Sequence, residues 1–315
     1  MKRFLCFALA LLSICSLLGA CKVQPSNETL PPKETQLPMD IMQKTDPSQD
    51  DTLNILMIGS SFCYYYVEEL WGMLNAAGIK ARVCNVYSSG CTLKSHWEWW
   101  KNGEANYEFF VTDETGRVKT ASTNLEYCLQ QGNWDIISLQ ENCLTVHKNG
   151  ADQHFINTQT YLTDLWGYLK EQFPLSRHFW HQPWAYQVGA DRNGVQMKDI
   201  YQQQSHMFAV RDYAIRVCKE LDLERINTGE AWHLVRQAGY DRLCARKGIN
   251  GDVGDYSHDG DIGGGQYLNA CVWFEAITGK SCADNPYRPD YALDEALIPT
   301  LQQAAHQAIV ARNAQ

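Results

Sequence analysis

Two short segments carry residue types that could do chemistry together. The first is Gly59-Ser60-Ser61-Phe62, which follows the apolar run Leu53-Asn54-Ile55-Leu56-Met57-Ile58 and precedes a segment with helical spacing. A serine between a strand and a helix exposes its hydroxyl, and its own N–H stands at the positive end of the helix. That combination suits a nucleophile, because the same N–H can stabilise an oxyanion. A serine there could equally serve only as a helix cap. The second segment is Asp255-Tyr256-Ser257-His258. A nucleophilic serine needs a base, and the base needs a partner that fixes its tautomer. An Asp three residues before a His can supply that partner within one turn of chain. Asp255, Asp259 and Asp261 could instead offer oxygen ligands to a metal ion, although the EF-hand spacing is absent.

The elements that must position these residues follow from periodicity. Leu53–Ile58, Ala81–Val86, Asp135–Leu139, His178–Trp184 and Leu223–Ile226 read as five strands. Between and after them, Val67, Leu70, Trp71 and Leu74 repeat at helical spacing. So do Leu162, Leu165, Trp166 and Leu169, and again Met207, Val210, Ala214, Val217 and Leu221. Tyr267–Ile277 and Leu293–Ala308 are predicted to close the chain as helices. Alternating strands and helices predict an α/β fold: a three-layer α/β/α sandwich around a parallel, flavodoxin-like sheet of about five strands. Tyr107–Thr120 reads as an inserted hairpin around Asp113-Glu114-Thr115-Gly116. Eight glycines between Gly239 and Gly265 mark a long loop that contains Asp255 and His258.

Four blocks along the chain resemble the SGNH (GDSL-type) hydrolase superfamily. The likeness is to a secreted bacterial lipoprotein subgroup of unknown function, carbohydrate-esterase-like, and covers roughly Leu53 to Lys280. Gly59-Ser60-Ser61-Phe62 matches the first block, and the resemblance makes Ser61 the nucleophile. Asn85-Val86-Tyr87-Ser88-Ser89-Gly90-Cys91-Thr92 matches the second, whose glycine, Gly90, lends an N–H to the oxyanion hole. Ile136-Ile137-Ser138-Leu139-Gln140-Glu141-Asn142 matches the third, which makes Asn142 a side-chain oxyanion donor beside the N–H of Ser61. Asp255-x-x-His258 matches the last, giving the base His258 and its orienting acid Asp255. The chain departs from the pattern at Ser60, Gln140, Cys143 and Asp259. Gln140 replaces a glycine and stands as an alternative oxyanion donor. The implied activity is a serine esterase with a Ser-His-Asp triad, acting without metal or organic cofactor on O-acyl groups of a carbohydrate, foremost O-acetyl. A lipid esterase or thioesterase of the same superfamily, and a non-catalytic glycan-binding lipoprotein, are the alternatives.

Composition bounds the remaining expectations. The chain has 315 residues, 45% hydrophobic, with a net charge of −9. That acidity makes a nucleic-acid partner a poor fit. Lys2 and Arg3, the apolar run Phe4–Leu18 and Leu18-Gly19-Ala20-Cys21 read as a lipoprotein signal over residues 1–21, with Cys21 the lipidated residue. Residues 22–51 read as a disordered tether and 52–315 as the hydrolase domain. The expected location is a bacterial envelope membrane, foremost the outer membrane, with the lipid as the only membrane contact. Of 12 cysteines, most read as small buried hydrophobes, with a Cys244–Cys282 bridge conceivable. Ten Trp and 16 Tyr are many for this length. Aromatic faces stack on sugar rings, so Trp97, Trp100 and Trp184 are the expected substrate-binding aromatics, and Tyr64, Tyr65 and Tyr66 follow the nucleophile closely.

Overall fold

The computed structural model describes residues 51–192, 195–240, 264–289 and 293–314. In chain order the strands are β1 (Leu53–Gly59), β2 (Ala81–Tyr87), β3 (Tyr107–Asp113), β4 (Gly116–Thr123), β5 (Ile136–Leu139), β6 (Arg177–His181), β7 (Asp191–Arg192), β8 (Val195–Gln196) and β9 (Glu224–Ile226). The helices are α1 (Val67–Ala76), α2 (Leu93–Asn102), α3 (Leu125–Leu129), α4 (Cys143–Asn149), α5 (Ala151–Gln172), α6 (Ile200–Leu221), α7 (Thr228–Gln237), α8 (Gly265–Thr278) and α9 (Ile298–Asn313). No helix among the described residues is long and apolar enough to cross a membrane.

The fold is a three-layer α/β/α sandwich. Its main sheet has seven strands in the order β4-β3-β2-β1-β5-β6-β9. The five strands from β2 to β9 are parallel and follow the flavodoxin-like order. The expected parallel sheet of about five strands is present, and two antiparallel strands extend it. The hairpin foreseen at Tyr107–Thr120 does not stand apart from the sheet: β3 pairs antiparallel with β2 and β4 with β3, adding two strands at that edge. Helix α2 connects β2 to β3, whereas β3 and β4 are joined by a tight turn, as antiparallel strands can be.

Why these runs become central strands is visible in their burial. Ile55, Leu56, Met57 and Ile58 are covered on both faces, as a parallel strand between helical layers must be. Helices α1, α8 and α9 pack together on one side, and α2, α4, α5 and α6 on the other. Helix α8 is buried around nearly its whole circumference, which explains an apolar run with no polar face. Register then fixes the functional edge. Gly59 pairs with Tyr87, Ile58 with Leu139, and Leu139 with Trp180, so the carboxyl ends of β1, β2, β5 and β6 line one edge. The strand order reverses between β1 and β5, and in open α/β sheets that switch point is where ligands bind.

Candidate active site

The site is built at the carboxyl ends of three adjacent strands. β1 ends at Gly59, where a Cβ would come within 2.7 Å of Gln140 Oε1 and 3.2 Å of Cys63 Sγ, so only glycine lets the turn approach β5 this closely. Ser60 is extended (φ −96°, ψ −162°), and Ser61–Cys63 forms a single 3₁₀ turn before α1 begins at Val67. This corrects the expectation of a serine opening directly onto the first long helix: α1 starts six residues later. The turn is closed by Cys63 N–H to Ser60 O and Tyr64 N–H to Ser61 O, each 3.1 Å. Ser61 is its first residue, where a backbone N–H has no acceptor within the helix.

Beyond β2, Gly90 has φ +66°, a left-handed conformation that favours glycine. Its N–H has no acceptor among the described residues, and the residue is exposed. The loop around it is held to the nucleophile turn: Ser88 N–H donates to Gly59 O at 3.4 Å and Cys91 Sγ lies 3.3 Å from the same oxygen. At the end of β5, Asn142 caps α4 through Oδ1, which accepts from Leu144 N–H at 3.0 Å. Its Nδ2 donates to Gly90 O at 3.0 Å, and a second Nδ2 hydrogen remains. Gln140 is buried, and its Nε2 donates to Ser60 Oγ at 3.2 Å and to Glu141 O at 3.2 Å. The structure therefore brings Ser61, Gly90, Asn142 and Gln140 to one edge, with Gln140 packed behind the serine turn. His258 and Asp255, with the alternative ligands Asp259 and Asp261, lie outside the described residues.

The aromatic expectations change. Trp184 is fully buried, stacks on Trp232 with centroids 5.2 Å apart and touches Phe62, so it is core and presents no face to a ligand. Trp97 and Trp100 are half-buried in the seam between α2 and α5. Trp97 Nε1 donates to Asp164 Oδ2 at 2.8 Å and its ring lies against Tyr161. Trp100 stacks on Tyr168. Tyr168 is about four turns, roughly 21 Å, along α5 from His154, whose imidazole reaches the carboxyl end of β5. Trp100 thus sits toward the opposite end of the sheet from Ser61. The tyrosines after the nucleophile are better placed. Tyr64, Tyr65 and Tyr87 are half-buried at the functional edge; Tyr64 lies 5.0 Å from Tyr65 and 4.6 Å from Tyr87, with the Arg117 guanidinium 4.1 Å over its ring. Tyr66 is buried.

Asn85 has a supporting role that the sequence blocks do not assign. It is fully buried on β2, and its Nδ2 donates to Cys63 O at 2.5 Å, bracing the 3₁₀ turn from below. An Asn between the apolar Cys84 and Val86 was the available signal, since a buried amide must find a partner. The neighbouring thiols are not rival nucleophiles. Burial pushes Cys63 up to about 12 and Cys91 well above the ordinary thiol range, so neither is a thiolate at neutral pH. Cys282 is a free thiol rather than half of a bridge, and Cys244 lies outside the described residues. Among the described residues no three His, Cys, Asp or Glu side chains converge to hold a metal ion.

A doubly wound α/β protein with a serine turn, a left-handed glycine and an asparagine around its switch point is the class that fold and site define. The chain belongs to the DUF4886 family, a domain of unknown function, whose model matches residues 54–308. It is similar to the crystal structure of a DUF4886 family protein from Bacteroides uniformis, at 27% identity and a TM-score of 0.71, over 82% of this chain and 95% of that one. Weaker likenesses are to an acetyl xylan esterase (14% identity, TM-score 0.44, 70% of this chain and 98% of that one) and to an extracellular lipase from Streptomyces rimosus (10%, 0.41, 72% and 99%). No curated protein matches the chain.

Proposed function

We propose that this protein is a serine ester hydrolase of the SGNH type, acting on O-acyl groups of a carbohydrate, foremost O-acetyl. The observation that carries this is the meeting of Ser61, Gly90 and Asn142 at adjacent strand ends across the switch point, with Asn142 Nδ2 bonded to Gly90 O. Ser61 Oγ attacks the ester carbonyl while His258 takes its proton. The carbonyl oxygen becomes an oxyanion facing the N–H groups of Ser61 and Gly90 and the remaining Nδ2 hydrogen of Asn142. The C–O bond then breaks, and His258 protonates the departing alcohol. Water, deprotonated by His258, releases the acid and restores Ser61. Asp255 orients His258 and stabilises its charged form. Tyr64, Tyr65 and Tyr87 support a sugar-bearing substrate, since their half-exposed rings flank the nucleophile turn. Residues 1–21 act as a lipoprotein signal, so the domain works at a bacterial envelope membrane through lipid on Cys21.

The test is Ser61→Ala. Hydrolysis of an aryl acetate and labelling by a fluorophosphonate should both vanish while the melting temperature stays within a few degrees. Unchanged turnover by that variant would sink the reading. A panel of acetylated oligosaccharides, with acyl-lipid controls, decides the substrate class.

A further inference from the structure

A carboxylate that the reaction scheme leaves unused lies between β5 and α4. Glu141 is only 2% exposed. Burying a carboxylate is costly unless it is paired and hydrogen-bonded, and Glu141 is bonded on every side that matters to the oxyanion donors. Its Oε1 accepts from the Asn142 N–H at 2.6 Å and from the Leu93 N–H at 3.3 Å. Its Oε2 lies 3.4 Å from the same Leu93 nitrogen and 3.1 Å from His154 Nε2. Leu93 is the first residue of α2 and stands three residues after Gly90, so the carboxylate also meets the positive end of that helix. Asn142 is the neighbouring residue and carries the side-chain donor. One carboxylate therefore ties together the two segments that present the Gly90 N–H and the Asn142 amide. The bond from Asn142 Nδ2 to Gly90 O closes the triangle.

The far side of the clamp is also fixed. His154 is buried on the first turn of α5, and Asn149 Nδ2 lies 2.9 Å from its Nδ1. With the amide donating to Nδ1, the imidazole proton sits on Nε2 and points at Glu141.

We infer that Glu141 is the positioning residue of the oxyanion hole, with His154 as its fixed N–H donor. The role rests on the ester-hydrolase reading of Ser61. Glu141 touches no reacting atom. It sets the spacing between two donors that matter only when the oxyanion develops. Loosening them therefore weakens transition-state binding and leaves ground-state binding nearly unchanged.

The decisive variants are Glu141→Gln, which keeps the size but replaces an acceptor oxygen with an amide NH₂, and the pair His154→Gln and His154→Leu. The first of the pair keeps an N–H toward Glu141 and the second removes it. For each, kcat and KM on an aryl acetate are measured with the affinity for a boronic acid that forms a tetrahedral adduct on Ser61. Fluorophosphonate labelling and thermal melting are followed in parallel. Glu141→Gln should lower kcat and boronate affinity together, by about thirty-fold or more, with KM within about threefold, since misplacement by about 1 Å can cost about a hundred-fold. His154→Gln should stay near the wild type and His154→Leu should fall between. If Glu141→Gln does not fold, the order within the His154 pair decides. A folded Glu141→Gln or His154→Leu with wild-type kcat overturns the inference, as does a kcat loss with unaltered boronate affinity. In both cases the wild type still labels at Ser61. A wild type that neither labels nor hydrolyses removes the hydrolase reading, and this role with it.

Discussion

The two ends of the central sheet differ in how their polar groups are held. At the carboxyl ends of β1, β2 and β5, buried amides and carboxylates stand behind groups that face outward. Asn85 braces Cys63, Gln140 braces Ser60, and Glu141 braces Asn142 and Leu93. At the opposite end, a recess of about 460 Å³ is also lined by polar side chains, among them Glu126, Gln130, Gln131, Asn133 and Gln172, with Tyr168 and Phe173. Gln130, Asn133 and Gln172 are exposed and Glu126 and Gln131 half-buried; Gln131, for example, folds back onto Tyr127 O. The contrast has a physical origin. In a parallel βα unit the strand's carboxyl end meets a helix N-terminus, which offers N–H groups and positive potential; the other end meets helix carbonyls. Anionic intermediates belong at the first end, and aromatic residues alone do not move them to the second.

Four measurements would break or sharpen this contrast. The largest effect is expected from Asn142→Ala, which should lower kcat on an aryl acetate by about a hundred-fold. It should cost only about 1 kcal/mol of stability, through the lost cap of α4. Retained kcat in a folded variant would show that the edge does not use this amide. Next, Gly59→Ala should cost about 1–3 kcal/mol in denaturant unfolding, because the new methyl meets a buried Gln140 side chain that cannot swing into solvent.

Acid should weaken the whole core. Burial lowers His96, His181 and His206 from an ordinary value of 6.5 to about 3. The unfolded chain binds protons as pH drops through 6.5, whereas the folded chain resists until about 3. The stability is therefore complete above pH 6.5 and is lost progressively between there and about 3. Each histidine contributes a slope of roughly 1.4 kcal/mol per pH unit in that window. A melting temperature flat from pH 7 to pH 4.5 would contradict the buried neutral imidazoles.

The smallest kinetic effect is expected from Trp100→Ala. It should leave kcat/KM on an aryl acetate within about twofold while costing about 1–2 kcal/mol, since the residue packs the α2–α5 seam. A tenfold kinetic loss at unchanged stability would place that seam in the chemistry after all.

Sequence by itself determined the alternation of strands and helices and the strand ends near Gly59, Tyr87 and Leu139, whereas β6 stops at His181, short of the expected Trp184. Apolar runs such as Ile55–Ile58 and Ile136–Leu139 have no stable place except between two helical layers, and glycines mark where the chain must turn. Ser61, Gly90 and Asn142 each stand just past such a run, but it was the resemblance of the blocks around them that gave Gly90 and Asn142 a role. Only the tertiary structure decided what the neighbours of those residues do. Burial of Trp184, Asn85 and Glu141 depends on which element lies across from each, and one-dimensional spacing does not encode that. A tryptophan in a sugar site and one stacked on Trp232 look alike in sequence. Likewise, a surface carboxylate and one that ties Leu93, Asn142 and His154 together differ only through contacts between residues distant along the chain.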